Sequence, residues 1–316
     1  MLSRVAERMY WFGRYMERVE NTARLVSVNT NVLYDLPKMV SHIWDSLIDI
    51  TGSDGYFYEL HDKTDELNVI RFLLADQLNP ASIISSLKMV RENVRTTREI
   101  MPSEVWEQVN EFHLFVKQHV KNAVRRSNRH DFLDEIIQHC HQITGLLEGG
   151  MSHGNAYNFY KIGRNIERSD MTTRIVDVGC IYLRDESKQI PETYHNILWM
   201  NVLRSLTGYQ MYRQFVHDRV NGEDVVDFLM TDDEFPRSVF HCLNELYDCI
   251  SDTPNHDLPL RSITRTKRII NEMNTEELFK EGLGEFIDNL QIDLAEIHNQ
   301  VTETWFDYSK LIPDQQ

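Results

Sequence analysis

The sequence Gly-Arg-x-x-Glu-Arg occurs twice in this chain of 316 residues, beginning at residues 13 and 163. Arginine guanidinium groups bind carboxylates and phosphates through two parallel hydrogen bonds. The two blocks could therefore hold a peptide, an amino acid or a phosphoester, with Glu17 and Glu167 as candidate catalytic residues that transfer a proton. The candidate ligand-binding arginines on these segments are Arg14, Arg18, Arg24, Arg164, Arg168 and Arg174.

The same charged residues also fit two arrangements that have no catalytic or ligand-binding role. One is a buried network of Arg–Glu ion pairs between helices, and the other is a solvated surface, where an ion pair contributes about 0–1 kcal/mol. The copies agree at four charged positions while they differ at several apolar ones, which argues against simple solvation. A carboxylate among arginines has a lowered pKa, which favours an ion-pair role over that of a general acid. A buried network, a ligand site and a plain surface all stay open.

A second charged group lies in residues 90–112. Arg91, Arg95 and Arg98 share one helix face at spacings i, i+4 and i+7, and Arg91 and Arg95 are further candidate ligand-binding residues. A mixed-charge surface helix explains the same pattern.

The run His139-Cys140-His141 has metal-ligating residue types, but neighbours on a helix point about 100° apart. No second cluster with ligand spacing accompanies it, so we expect no metal site. The chain has no H-E-x-x-H sequence, no P-loop, no G-x-G-x-x-G and no G-x-S-x-G, so no cofactor is predicted.

The elements that carry these residues are predicted to be helices throughout. Apolar residues recur at helical spacing, and Gly (13) and Pro (8) are scarce, which favours an all-α bundle. The predicted helices cover residues 2–35, 39–50, 65–76, 80 to the break at Pro102, 103–125, 130–148, 154–184, 193–219, 223–231, 236–251, 257–273 and 275–310. Breaks are expected at Pro37, Gly149-Gly150 and Pro191. Pro80 is placed at a first helical position and Ser103 at an N-cap.

An apolar stripe on the first helix is predicted to face the core: Phe12, Tyr15, Met16, Val19, Ala23 and Val26. The charged residues of the first block lie on the opposite face of that helix.

An internal repeat connects the two blocks. Residues 10–28 align without gaps on 160–178 with nine of 19 positions identical, and residues 69–87 align on 225–243. Two blocks in one order predict a duplication, with halves 1–150 and 151–316. We expect the halves to be related by a pseudo-two-fold axis and packed as one globular unit.

Composition limits the partners and the compartment. Lys plus Arg is 33 and Asp plus Glu is 49, a formal charge of −16 that repels phosphate backbones, so nucleic acid is not expected as a general partner. We expect no signal peptide and no membrane span. The four cysteines form no C-x-x-C pair, which favours a reducing, cytoplasmic location.

Several long motifs resemble the bacterial alpha-E domain family. The resemblance is carried by MLSRVAERMYWFGRYMERVENTARLV at the start, RENVRTTREIMPSEVWEQVNEF from residue 91, KIGRNIERSDMTTRIVDV from residue 161 and FPRSV from residue 235. It implies an all-helical cytoplasmic protein whose gene lies beside those of a circularly permuted ATP-grasp ligase and a transglutaminase-like cysteine peptidase. Glu17 and Glu167 are the best matches to the glutamate of the family's name.

Three functions follow as hypotheses. The chain is an accessory or binding component of an ATP-grasp-associated peptide or amide-ligation system, with the ligase and the peptidase as partners. Alternatively, it is an enzyme of that pathway whose Arg/Glu cluster binds and processes a peptide-like or phosphorylated substrate. A purely structural oligomer is the third hypothesis.

Overall fold

A computed structural model describes residues 3–35, 43–184, 192–216 and 219–306 of the chain. Within these ranges the fold is an all-α helical bundle with no β-strand, which confirms the predicted fold class. Helices α1 to α15 span Ser3–Asp35, Ile43–Thr51, Asp54–Leu60, Glu66–Leu74, Ile83–Thr97, Ser103–Ala123, Arg126–Gly150, Asn155–Arg184, Glu192–Ser205, Tyr209–Phe215, Gly222–Thr231, Val239–Ser251, Asp257–Asn271, Thr275–Lys280 and Leu283–Trp305. A 3-10 turn, Arg98–Ile100, follows α5.

The long helices α1 and α8 lie against each other at the centre of the bundle. On one side, α5 and α7 pack on α1, and α6 packs on both of them. On the other side, α12 and α15 pack on α8, and α13 packs on both of them. The two groups of helices are thus arranged alike: in each, two helices pack on a central helix and a third packs on both of them. A duplication and a division near residue 150 stay predictions.

The predicted core stripe of α1 faces the interior. Its buried members are Phe12, Met16, Val19, Ala23 and Val26, and Tyr15 is half-buried. Fully burying one large apolar side chain contributes roughly 1.5–3 kcal/mol, so this stripe fixes the orientation of α1. The opposite, charged face is also covered, because α8 lies over it.

Serine caps start the two helices that begin within the second pair of aligned segments, residues 69–87 and 225–243. Ser82 precedes α5 and Ser238 precedes α12. Each hydroxyl accepts a hydrogen bond from the backbone amide three residues on, and donates one to the carbonyl of Asp76 or Asp232 respectively. The hydroxyl satisfies an amide that the first turn leaves without a partner. The two loops therefore have the same local structure.

Three predicted helix ends were wrong. Pro80 lies in the turn before α5, because Ser82 rather than Pro80 supplies the capping geometry. Ser103 is the first residue of α6, and Pro102 occupies its cap position. Helix α7 continues through Gly149 to Gly150, so the break between the long helices lies at residues 151–154.

Two predicted long helices are each divided. Thr207 has φ of 56° and ends the run predicted for 193–219, and the next helix, α10, begins after Gly208. Gly282 has φ of 94° and separates α14 from α15 within the run predicted for 275–310. Backbone at positive φ cannot continue a right-handed helix. Helix α3 was not predicted, and the breaks expected at Pro37 and Pro191 lie outside the described residues.

Candidate functional site

Glycines allow the two central helices to touch backbone to backbone. A Cβ atom on Gly13 would overlap the carbonyl oxygen of Tyr160, and one on Gly163 would overlap the carbonyl oxygen of Tyr10. Only glycine permits so close an approach. Because each glycine precedes a charged block, the crossing brings the two Glu-Arg pairs face to face.

Glu167 of α8 lies between two arginines of α1. Arg14 Nε donates to its Oε2 atom at 2.7 Å. Arg18 donates through Nε to Oε1 at 2.6 Å and through a terminal nitrogen to Oε2 at 3.0 Å. Glu167 is only 3% exposed, so both of its oxygens find their partners inside the protein.

Glu17 of α1 is held from the opposite direction. Arg168 of α8 donates to both of its oxygens, at 3.1 and 2.8 Å. The contacts are therefore reciprocal: Glu167 of α8 accepts hydrogen bonds from arginines of α1, and Glu17 of α1 accepts them from an arginine of α8. Glu17 is 2% exposed, and it accepts a further hydrogen bond from the loop that precedes α12.

Arg237, in the loop between α11 and α12, supplies that third contact. It donates to Glu17 at 2.5 Å, to Glu20 at 2.8 Å and to the Asn21 side-chain oxygen at 2.8 Å. It was not among the predicted site residues. The position that aligns with it in residues 69–87 is Ala81, so the repeat gives no signal for this arginine. We call the connected group the Arg–Glu lattice, which comprises Arg14, Glu17, Arg18, Glu20, Glu167, Arg168 and Arg237.

Arg164, the counterpart of Arg14, departs from the reciprocal pattern. Its closest ionic partner is Glu148 at 3.6 Å, and its guanidinium lies 5.6 Å from the Tyr160 ring centroid. The Nε atom is buried and makes no hydrogen bond to a described residue. The Nε atom of Arg164 therefore remains an available donor, whereas the Nε atoms of Arg14, Arg18 and Arg168 each donate to a glutamate.

Arg24 and Arg174 pair within their own helices. Arg24 donates to Glu20 at 3.0 Å and to His141 at 2.8 Å, and Arg174 donates to Asp170 at 3.0 Å. Arg24 is tied to the Arg–Glu lattice through Glu20. Arg174 forms a separate i, i+4 pair that is about one third exposed.

Burial and the arginines act in opposite directions on the carboxylates. Burial alone would raise the pKa of Glu167, but Arg18 and Arg14 outweigh it and lower the pKa to about 2. For Glu17, burial is likewise outweighed by Arg168 and Arg237, and the pKa lies below its ordinary value. Both carboxylates are ionised at neutral pH and are poor proton donors.

The Tyr10 hydroxyl adjoins the lattice at its α15 side. It lies 2.5 Å from His298 Nδ1 and 3.4 Å from an Arg14 nitrogen. Burial and the nearby Arg14 charge lower the pKa of His298 to about 4. His298 is then neutral at pH 7, and the hydrogen bond between its Nδ1 atom and the Tyr10 hydroxyl links α15 to the crossing.

The second predicted cluster does not join the first. Arg91 donates to Asn110 at 2.9 Å and lies over the Trp106 ring, 5.4 Å from its centroid. Arg95 forms an exposed pair with Glu92 on α5. The Arg91 contacts join α5 to α6, and neither arginine reaches Glu17 or Glu167.

The His139-Cys140-His141 side chains diverge. His139 stacks on Phe112 at 4.8 Å, Cys140 is buried, and His141 is exposed beside Glu20. Among the described residues, no three His, Cys, Asp or Glu side chains are grouped so that they could hold a metal ion. The described helices also include none that is long and apolar enough to cross a bilayer.

Comparison with known proteins gives a family match. A family model named Alpha-E, described as a predicted alpha-helical domain with a conserved ER motif, matches residues 1–306. Glu-Arg occurs at residues 7–8, 17–18 and 167–168, and the last two lie in the lattice. Uncharacterised proteins of Mycobacterium bovis and Mycobacterium tuberculosis are 24% identical over 93% of this chain. The chain spans 34% of their length, and no solved structure matches it.

Proposed function

The chain belongs to the Alpha-E family, and we propose that it is a non-catalytic accessory or binding component of an ATP-grasp-associated peptide or amide-ligation system. One observation carries the non-catalytic part. The two best candidate catalytic carboxylates, Glu17 and Glu167, are buried and already paired with two arginines each. A general acid or base needs a pKa near the working pH and access to substrate, and these carboxylates have neither.

The partners in this proposal are a circularly permuted ATP-grasp ligase and a transglutaminase-like cysteine peptidase, both implied by the resemblance to the family. The mycobacterial relatives extend well beyond the matched region, which covers about a third of them. A domain within longer chains is expected to act together with its covalent neighbours. We place the system in the cytoplasm, because Cys140, Cys180, Cys242 and Cys249 are all buried thiols outside any disulfide.

Co-purification tests the proposal. A tagged form of this chain should retain the ligase encoded beside its gene, and adding the chain should change the ligase's turnover of ATP. Absence of a complex together with unchanged turnover would overturn the proposal.

A second candidate function is an enzyme of the same pathway. Arg164 favours it, because a buried guanidinium nitrogen without a hydrogen-bond partner among the described residues could bind a substrate carboxylate or phosphate. Arg164→Gln should then abolish pathway turnover while the fold is kept. Unchanged turnover would exclude a substrate role for Arg164.

A further inference from the structure

A groove of about 440 Å³ lies between α12 and the exposed face of α13, away from the Arg–Glu lattice. Three arginines of α13 line it, together with two rings, one apolar residue, one hydroxyl and one acid: Arg261, Arg265, Arg268, Tyr247, His256, Leu260, Thr264 and Asp257. The arginines recur at i, i+4 and i+7, so they lie along one face of the helix. The groove is thus basic in a chain whose formal charge is −16.

The guanidinium groups in this groove are open to a ligand. Arg261 is exposed and makes no ion pair with any residue that the structure describes. Arg268 Nε lies 3.9 Å from Glu272, beyond hydrogen-bond distance. Arg265 donates one terminal nitrogen to Asp293 at 2.5 Å, and its side chain stays 51% exposed. Each arginine therefore retains N–H groups that can bind a carboxylate.

Beside the arginines, the groove also presents apolar surface. Tyr247 of α12 is 38% exposed, and Lys267 Nζ lies 5.1 Å from its ring centroid. Leu260, which also lines the groove, is half-buried. A site for a small inorganic anion would need only the cations, whereas this groove also presents a surface for carbon atoms.

The distance that the three arginines span along α13 matches that of a short extended peptide. Seven residues of helix extend over about 10 Å. Three residues of extended peptide cover a similar distance, at about 3.3 Å each. A row of carboxylates on an extended chain can therefore meet all three arginines together, and a single phosphate or carboxylate cannot.

We propose that the groove between α12 and α13 binds an acidic polypeptide segment, whose carboxylates pair with Arg261, Arg265 and Arg268 while its aliphatic atoms pack on Tyr247. This goes beyond the proposed function and does not rest on it, since the Arg–Glu lattice takes no part. The attraction is long-range and is screened by salt.

Fluorescence anisotropy with a fluorescein-labelled hexaglutamate peptide tests the inference, with labelled hexaglutamine as the uncharged control. We expect the protein to bind hexaglutamate and not hexaglutamine, more weakly as NaCl is added. Arg261→Gln combined with Arg268→Gln should weaken binding about tenfold or more, since two charge-assisted contacts are lost. The matched variant, Arg71→Gln combined with Arg98→Gln, removes the same charge from two exposed arginines elsewhere and should bind within about twofold of the wild type.

Several results would overturn the inference. The first is that hexaglutamate does not bind at low salt, and the second is that both double variants weaken its binding equally. The third is that inorganic phosphate displaces the labelled peptide at the same concentration as unlabelled hexaglutamate does. Tighter binding of a single-stranded oligonucleotide than of hexaglutamate would also overturn it. None of these measurements contains the ligase, so their outcome is separate from that of the co-purification test.

Discussion

At the residue scale, the ion pairs of the buried glutamates determine how much the Arg–Glu lattice stabilises the fold. Replacing Glu167 by Gln leaves Arg14 and Arg18 without their counter-charge inside the protein. Breaking a buried ion pair from one side costs roughly 3–5 kcal/mol. We expect the free energy of unfolding of Glu167→Gln, measured by urea denaturation, to fall by that amount. Glu92→Gln, which breaks an exposed pair with Arg95, should lower the free energy of unfolding far less. Equal decreases in the two variants would contradict a buried lattice.

The pKa of Glu167 also predicts a pH dependence. The folded value of about 2 lies below the ordinary value of 4.5. The unfolded chain therefore binds its proton first, so the stabilisation is complete above about pH 4.5 and is lost as the pH falls towards 2. Urea denaturation across this window should show the free energy of unfolding decreasing with acid, and less steeply in Glu167→Gln. The same slope in both proteins would argue against a strongly lowered pKa.

The sequence predicted most residues of the site, but it did not predict which of them form ion pairs with each other. The retained charges at 14, 17, 18, 167 and 168 identified residues that do meet. Arg237 was missed because a single arginine in a loop carries no periodic signal, and its contacts join residues more than 200 positions apart. Arg164 could not be distinguished from Arg14, since the repeat makes their local sequences alike.

At the scale of elements, the glycines at the crossing are the most sensitive positions. Gly13→Ala and Gly163→Ala would each force two backbones apart, and we expect a loss of about 3 kcal/mol, the upper end for adding a methyl to a packed interior. Gly145→Ala is the matched control, because nothing lies within 4 Å of its Cβ position in α7. It should gain about 0.5–1 kcal/mol from helix propensity.

Thermal unfolding followed by circular dichroism measures all three glycine variants. A midpoint that rises in Gly13→Ala or Gly163→Ala, as it should in Gly145→Ala, would contradict the close crossing of α1 and α8.

Helix existence was easier to predict than helix limits. Long helices such as α1 and α8 were predicted to within one residue at their ends. The divisions at Thr207 and Gly282 were missed, because a single residue at positive φ interrupts a helix without changing the spacing of apolar residues on either side of it.

At the scale of the whole molecule, the central position of α1 and α8 makes the two predicted halves depend on each other. Residues 1–150 alone would expose the charged face of α1, including Glu17, without Arg168 or Arg237. We expect this fragment to show no cooperative thermal transition, while the full chain unfolds in one. Cooperative unfolding of the fragment alone would support independent domains instead.

The central claim is that the Arg–Glu lattice holds the bundle together and does not perform chemistry. The most direct test is the ligase turnover supported by Glu167→Gln, at a temperature where circular dichroism shows the variant folded. We predict turnover equal to that with the wild-type chain, together with a lowered melting temperature. Loss of turnover in the fully folded variant would contradict the claim and assign Glu167 to the reaction.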